Sequence, residues 1–227
     1  MADEHEGSGL ASSLTDLMTS LAVIFILLLV ATLNNARQEV QGAKAEVLSR
    51  LQDALLRFQE KGVEVKTDPK DPLGLLVVVP EDLLNFPVGR SEIRDLGVNF
   101  LKQFMPQLVG TACEPELRGG ISSIIVEGHA SSEWNEKDPK VRAERNLKLS
   151  QERSMAVVQQ SLDALNDPGL HDCFLDFVSA TGRGSADPLA TPEKSRRVIF
   201  KVRVKSLEQR HVIAGISPEA AEQENGN

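Results

Sequence analysis

The side chain with the clearest potential for chemistry is Asp16, an acid at the edge of an apolar run. It is the only charged residue between Glu6 and Arg37, and the apolar run 17–33 follows it directly. A helix over residues 10–34 is long enough to cross a bilayer. A carboxylate inside such a helix is costly unless it faces other helices or a water-filled path, so Asp16 is a candidate functional group.

The residues around Asp16 form a polar stripe along one face of the expected helix. By three-and-four spacing the stripe contains Ser12, Ser13, Asp16, Thr19 and Ser20 and ends at Val23. The other faces carry Leu, Ile, Phe and Val, which favours an acid that faces the interior of a helix bundle. Alternatively, Asp16 caps a shorter helix over 17–33 and lies at the headgroups without a chemical role.

Length and charge limit the classes of partner. The chain has 227 residues and a net charge of −8, which allows one anchor helix and one globular domain of ordinary size. The acidic net charge argues against nucleic acid as a binding partner, because phosphate contacts need a basic surface. The acidic N-terminus MADEHEG has no Lys or Arg, which indicates a signal anchor rather than a cleaved signal peptide.

The segment after the anchor predicts a second helix, over 35–64. Its apolar residues recur at near-heptad spacing, namely Val40, Val47, Leu51, Leu55 and Phe58. Three roles fit this stripe: a dimer seam, a membrane-surface segment, or a linker or plug helix that docks on the following domain.

Residues 65–207 alternate between strand and helix patterns. Strands are expected at 75–79, 121–127, 174–179 and 196–205, and helices at 92–108 and 142–165. In the last strand, valines and Phe200 alternate with Arg and Lys, which predicts one buried and one basic face. This βαβαββ pattern predicts an α+β fold, a two-layer α/β sandwich. The polar, acidic residues 208–227 predict a disordered tail.

The two cysteines, Cys113 and Cys173, precede two of the expected strands. They would then meet at one end of the sheet and form an intramolecular disulfide in an oxidising compartment. In a reducing compartment they would instead be two buried thiols. Neither belongs to a CxxC pair, and the four histidines lack metal-ligand spacing, so no metal site is expected.

Three stretches of the domain resemble the OmpA-like peptidoglycan-binding family. They are FPVGRSEI at 86–93, then IIVEGHASS at 124–132 with NLKLSQER at 146–153, and finally TGRGSADPLA at 181–190 with SRRVIF at 195–200. The resemblance implies that the domain holds the diaminopimelate of peptidoglycan between an Arg and an Asp.

The family's binding positions map onto named residues here. Arg153 falls on the Arg position and Asn146 on the Asn of the helix motif, whereas Ser131 stands where the family has its Asp. Glu133 or Asp138 in the neighbouring loop could supply the missing acid. The alternative for Arg153 is a helix-surface salt bridge, with Glu152 or with a loop acid.

Residues 15–30, TDLMTSLAVIFILLLV, resemble the span of MotB-type stator subunits, whose ion-binding Asp falls on Asp16. The resemblance implies an inner-membrane protein with a cytoplasmic N-terminus (1–9) and a periplasmic domain. It implies a homodimer within a pentamer of MotA-type or ZorA-like subunits, driven by protons or sodium ions and without a bound cofactor. The short N-terminus and ATLNN look closer to the ZorB subunits of Zorya anti-phage systems than to flagellar stators.

On charge alone, the orientation would be opposite. The first basic residue, Arg37, follows the span, so the positive-inside rule would place the large domain in the cytoplasm. The domain's resemblance to a peptidoglycan-binding family outweighs these few charges.

The function expected from the sequence is the anchored subunit of an ion-driven motor that binds peptidoglycan and acts in anti-phage defence. A flagellar stator subunit and a passive OmpA-like cell-wall tether are the alternatives. No enzyme chemistry is expected, since GRGS at 182–185 lacks the Lys and the spacing of a nucleotide-binding loop.

Overall fold

The computed structural model describes residues 5–84, 86–87, 89–131 and 137–206, and of residues 5–12, 39, 40 and 43 the backbone alone. Glu133 and the predicted tail over 208–227 lie outside the described residues. The chain forms two compact units, Met1–Gly42 and Ala43–Asn227.

The described part of the first unit belongs to one long helix, α1, His5–Ala54. Its segment Ser13–Gln38 is long and apolar enough to cross a membrane, and its large apolar side chains, such as Leu17 and Phe25, are exposed. Because α1 begins well before Asp16, this residue does not cap a helix N-terminus. The capping interpretation of Asp16 is therefore wrong.

The second unit is built on a mixed five-stranded sheet with the order β1-β2-β5-β3-β4. The strands are β1 Glu64–Thr67, β2 Gly74–Pro80, β3 Ile121–His129, β4 Val178–Gly182 and β5 Arg197–Val204. Only β3 and β4 are parallel; the other neighbours are antiparallel. The predicted α+β class with helices layered on a sheet is confirmed.

Seven further helices complete the described part of this unit. The two long ones are α4, Asp95–Ala112, and α6, Pro139–Ala164. The others are α2 Leu56–Gln59, α3 Glu81–Leu84, α5 Pro115–Arg118, α7 Pro168–Phe177 and α8 Pro192–Ser195. α4 and α6 pack on the face of the sheet that carries Val77, Val126 and Phe200, all fully buried.

The end of α1 and the short helix α2 that follows it belong to this core. Val47, Leu51, Leu55 and Phe58 are all buried, and the Phe58 ring meets the Phe104 ring edge to face at 5.3 Å. Of the three roles considered for this helix, the structure shows docking on the domain. The compact unit accordingly begins at Ala43, well before the expected boundary at residue 65. The side chain of Val40 is not among those described.

The strand expected at 174–179 is wrong in its first part, because helix α7 continues to Phe177. In the segment NDPG at 166–169, Asp167 accepts a hydrogen bond from the Leu170 N–H at 3.0 Å and caps a new helix. Pro168 occupies the first position of that helix, where a missing N–H costs nothing. The strand pattern was short and apolar, which fits a buried helix face equally well.

The basic face of β5 is confirmed and is neutralised by the turn between β1 and β2. The Lys201 ammonium lies 2.8 Å from the Asp68 carboxylate and 2.9 Å from that of Asp71. Asp71 also pairs with Arg203 at 2.8 Å. Although burial opposes the charged forms, hydrogen bonds from Lys201 and from backbone N–H groups hold the pKa of both acids below the ordinary value.

Candidate functional sites

The first candidate site is Asp16 on the apolar segment of α1. Asp16 and its polar neighbours Ser13, Thr19 and Ser20 are exposed along this helix. The Thr19 hydroxyl donates to the Thr15 carbonyl, so it is satisfied within its own helix. A carboxylate on a helix of this length and hydropathy needs polar surroundings inside a bilayer. Within a bilayer, Asp16 would therefore need other helices or water around it.

The second candidate site lies where α6 crosses the ends of β3 and β4. Two glycines set the spacing there, because a Cβ on Gly128 would lie 2.2 Å from the Ser150 carbonyl oxygen, and one on Gly182 would lie 2.6 Å from the Gln151 nitrogen. The helix can approach the strands this closely only where side chains are absent. Gly128 and Gly182 belong to the second and third motif stretches, and their role there is to allow this close packing.

Ser150 links α6 to the loop after β4 at this corner through its hydroxyl. Its hydroxyl donates to the Leu147 carbonyl and accepts from the Gly184 N–H, each at 2.8 Å. The Gly184 carbonyl in turn accepts from the Ala130 N–H at 2.8 Å. Gly184 has a φ of 55°, a conformation that glycine adopts without strain.

The predicted binding residues Ser131 and Asn146 both lie near Gly184 at this corner. Ser131 follows Ala130 and is half-buried, while the Asn146 backbone packs beside Gly184. Asn146 is fully buried, and neither its side-chain oxygen nor its nitrogen has a partner among the described residues. An unpaired buried amide is unusual in proteins, which makes Asn146 a candidate group for contact with a ligand or with the adjoining loop.

Arg153 lies further along the same helix and faces the first motif stretch. It is 4% exposed and pairs with the Glu81 carboxylate at 2.6 Å. Its Nε donates to the Arg90 carbonyl at 3.0 Å and an Nη to that of Pro87 at 3.5 Å. Its guanidinium also lies 4.7 Å from the centre of the Phe86 ring. The salt-bridge partner is therefore Glu81 rather than Glu152.

Glu81 was not foreseen as a site residue. It directly follows β2 and binds two cations, because its second oxygen accepts from Arg196 at 2.5 Å. Burial lowers the pKa of Arg153, and the Glu81 carboxylate opposes that shift. The only indication in the sequence was an acid immediately after a buried strand, LVVVPE; its two arginine partners are distant in sequence.

Asp138, considered as a substitute for the family Asp, has a structural role. Its carboxylate accepts from the Lys140 N–H at 2.8 Å and so caps α6. Its side chain remains exposed. Among the described residues, no group of three or more His, Cys, Asp or Glu side chains is placed to hold a metal ion.

Cys113 and Cys173 are joined by a disulfide, with Cα atoms 6.4 Å apart. Cys113 caps the C-terminus of α4 and Cys173 is buried on α7. The bond thus links two helices that flank the sheet.

Comparison with known proteins supports the resemblance seen in the motifs. The chain is 27% identical to Zorya protein ZorB of Escherichia coli over 206 residues, covering 84% of this chain and 86% of that protein. No protein-family model matches the chain.

The fold has counterparts among solved structures. A MotB-like protein of Desulfovibrio vulgaris superposes with a TM-score of 0.51 at 20% identity, covering 74% of this chain and 96% of that one. The periplasmic domain of Helicobacter pylori MotB gives a TM-score of 0.47 at 14% identity, with coverages of 72% and 92%. The chain thus resembles ZorB over most of its length and shares the fold of a MotB-like protein.

Proposed function

We propose that this chain is the anchored subunit of an ion-driven inner-membrane motor that holds peptidoglycan and acts in anti-phage defence. The observation that carries the proposal is a lone carboxylate in an apolar helix that precedes a MotB-like domain. The alignment of 84% of the chain with ZorB supports it. A passive tether needs the domain and an anchor but has no use for an acid within the span.

In this proposal Asp16 carries the driving ion. A carboxylate that is alternately charged and neutral changes its preferred contacts with surrounding helices, and this change can drive a step of a partner ring. Because the acid and its polar stripe are exposed on a single helix, two copies of the chain would lie inside a ring of MotA-type or ZorA-like subunits. The ring, two copies of α1 and water would together enclose Asp16.

The domain would hold the complex in the cell wall from the periplasmic side. Asn146 and Ser131 offer amide and hydroxyl groups at the corner beside Gly184. Arg153, further along α6, supplies a positive charge. Three of its nitrogens already bind groups of the protein itself. Ligand binding through Arg153 would thus use its remaining N–H groups or exchange one of these contacts.

The motor role is tested by replacing Asp16. Asp16→Asn keeps the shape but cannot carry a proton, so cells that express it with the partner subunit should lose protection against phage. Asp53→Asn, the same change at an exposed acid of α1 outside the apolar segment, should retain protection. Full protection by Asp16→Asn at normal expression would contradict the proposal, and a swimming defect without a change in phage plating would favour a flagellar stator.

The wall-binding role is tested by sedimentation of the purified full chain with peptidoglycan. Ser131→Asp restores the acid of the family pattern and should increase the bound fraction. Asn146→Leu, which keeps the volume of the side chain but removes both polar atoms, should decrease it. If wild-type protein does not sediment with peptidoglycan and Ser131→Asp does not alter this, the wall-binding part of the proposal fails while the motor part stands.

A further inference from the structure

A groove of about 780 Å³ crosses the outer face of the sheet, opposite the layer of α4 and α6. Its floor consists of cross-strand neighbours, with Val78 beside Ile199 and Ile199 beside Glu127. One wall is the turn around Pro69, and the other is the segment from Asp187 to Lys194. The Lys70–Asp187 ion pair joins these walls, and Arg183 pairs with the same carboxylate from within the second wall's own stretch of chain.

Three polar groups meet at one end of this groove. His129 and Arg197 are direct cross-strand partners, and Glu127 lies two residues before His129 on the same face. Directly opposed side chains have Cβ atoms about 5 Å apart, and diagonal ones about 7–8 Å. Glu127 and Arg197 are therefore near each other but separated, with His129 beside both.

These groups have unused hydrogen-bonding capacity. His129 is 2% exposed, and neither ring nitrogen has a hydrogen-bond partner in the described part of the chain; the nearest carboxylate oxygen, of Glu127, is 3.6 Å away. Arg197 is 8% exposed and donates to two carbonyls, of Ser195 and Asp187. No carboxylate of the described residues lies within ion-pair distance of Arg197.

This arrangement is costly without a ligand. Buried charges are normally paired, and buried polar groups are normally hydrogen-bonded. Among the described residues, Glu127 has no Arg or Lys within ion-pair distance and Arg197 has no carboxylate within ion-pair distance, although the two groups attract each other across the groove. A molecule that brings both a carboxylate and an ammonium group would satisfy both, and the imidazole could bond to either.

We propose that the end of this groove lined by Glu127, His129 and Arg197 binds a small zwitterion of the amino-acid class. The carboxylate would accept from Arg197 and His129, and the ammonium would donate to Glu127. A side chain on the same carbon would lie along Val78 and Ile199, the apolar part of the floor. This site is separate from the corner of Ser131 and Asn146, which lies where α6 meets the other face of the sheet.

The test is calorimetric titration of the purified full chain with alanine, propionate and ethylamine. Propionate lacks the ammonium group of alanine and ethylamine lacks its carboxylate. Because each charge-assisted hydrogen bond contributes about 1.5–3 kcal/mol, removal of either group should weaken binding by about tenfold or more. This comparison uses the wild-type protein, so it does not depend on the folding of any variant.

A paired set of variants then assigns the ammonium contact. Glu127→Gln should weaken alanine binding about tenfold and leave propionate binding unchanged. Glu64→Gln, at the other end of the groove where Glu64 already pairs with Lys66, should change neither. Absence of alanine binding by the wild-type chain, propionate binding as tight as that of alanine, or equal effects of the two variants would each overturn the proposal.

Discussion

Arg153 is held by the protein itself through Glu81, two backbone carbonyls and the ring of Phe86. At the scale of single residues, the position that the family uses for a ligand is thus also part of the packing. It connects the first motif stretch to the helix of the second. A substitution of Arg153 therefore removes contacts to Phe86, Pro87 and Arg90 in addition to any effect on a ligand.

Glu81 offers a cleaner way to measure this pair. Glu81→Gln keeps the shape but leaves two guanidinium groups without their acid, and breaking a buried pair costs about 3–5 kcal/mol. We expect a loss near the lower end, since Glu81 is partly exposed. Chemical unfolding of the two proteins measures the difference.

The control for Glu81→Gln is Asp82→Asn, the adjacent and exposed acid. Surface substitutions of this kind usually change the unfolding free energy by less than about 0.5 kcal/mol. Equal stability of Glu81→Gln and Asp82→Asn would show that the ion pair does not contribute as argued.

Asp187 predicts a pH dependence of stability. Hydrogen bonds from Lys70 and Arg183 lower its pKa to about 2 from 3.8. As the pH falls below 3.8, the unfolded state takes up a proton before the folded state does, so stability is lost between pH 3.8 and pH 2. The contribution is fully present above that range.

Asp187→Asn should remove this part of the acid sensitivity. The residue has a φ of 59°, which Asn tolerates better than most residues. The fall in melting temperature from pH 3.8 to pH 2 should therefore be smaller in the variant than in the wild type, whereas Asp53→Asn should leave it unchanged. A variant profile parallel to that of the wild type would contradict the role of Asp187.

At the scale of elements, the end of α1 is part of the domain core rather than a free linker. Leu51→Ala should lower the unfolding free energy of the second unit by about 2–5 kcal/mol, because Leu51 is fully buried. Leu56→Ala, in the adjoining helix α2, is the control, since Leu56 is 64% exposed. Similar losses for the two variants would mean that α1 does not pack on the domain as described.

The disulfide between α4 and α7 gives a second test at this scale. The two cysteines are separated by 60 positions in sequence, and closing a loop of this size stabilises a protein by about 4 kcal/mol in the chain-entropy description. Replacing both Cys113 and Cys173 by Ala should lower stability by a similar amount. Two freely reacting thiols in unreduced protein from the membrane fraction would contradict the bond.

The strongly patterned elements could be predicted from the sequence. β5 alternates valine and phenylalanine with basic residues, and this period assigned its faces correctly. α4 and α6 have long apolar stripes, which fixed them within a few residues. By contrast, Val65 is the single apolar residue of β1, and it faces the core. Such a short edge strand has no reliable pattern in the sequence.

The contacts that shape the candidate sites could not be read from the sequence. Glu81 and Arg153 come together only because the residue after β2 lies beside α6 in space, and the proposed surroundings of Asp16 would include other chains. His129 and Arg197 belong to motif stretches, but their pairing depends on the strand order β5-β3. Motif spacing indicated which segments to examine and did not show which side chains were already paired.

At the scale of the whole molecule, the chain joins an apolar helix carrying one acid to a domain with a MotB-like fold. Neither part alone distinguishes a motor subunit from a tether. The distinction depends on whether Asp16 exchanges ions with its surroundings.

Proton flux through the assembled complex tests this most directly. Inner-membrane vesicles containing this chain and its ring-forming partner should show proton uptake that depends on an imposed pH gradient. We expect that uptake to be lost in Asp16→Asn and retained in Asp53→Asn, with assembly of the complex unchanged in both. Uptake in Asp16→Asn equal to that of the wild type, with protons or with sodium as the imposed ion, would contradict the central claim that Asp16 conducts the driving ion.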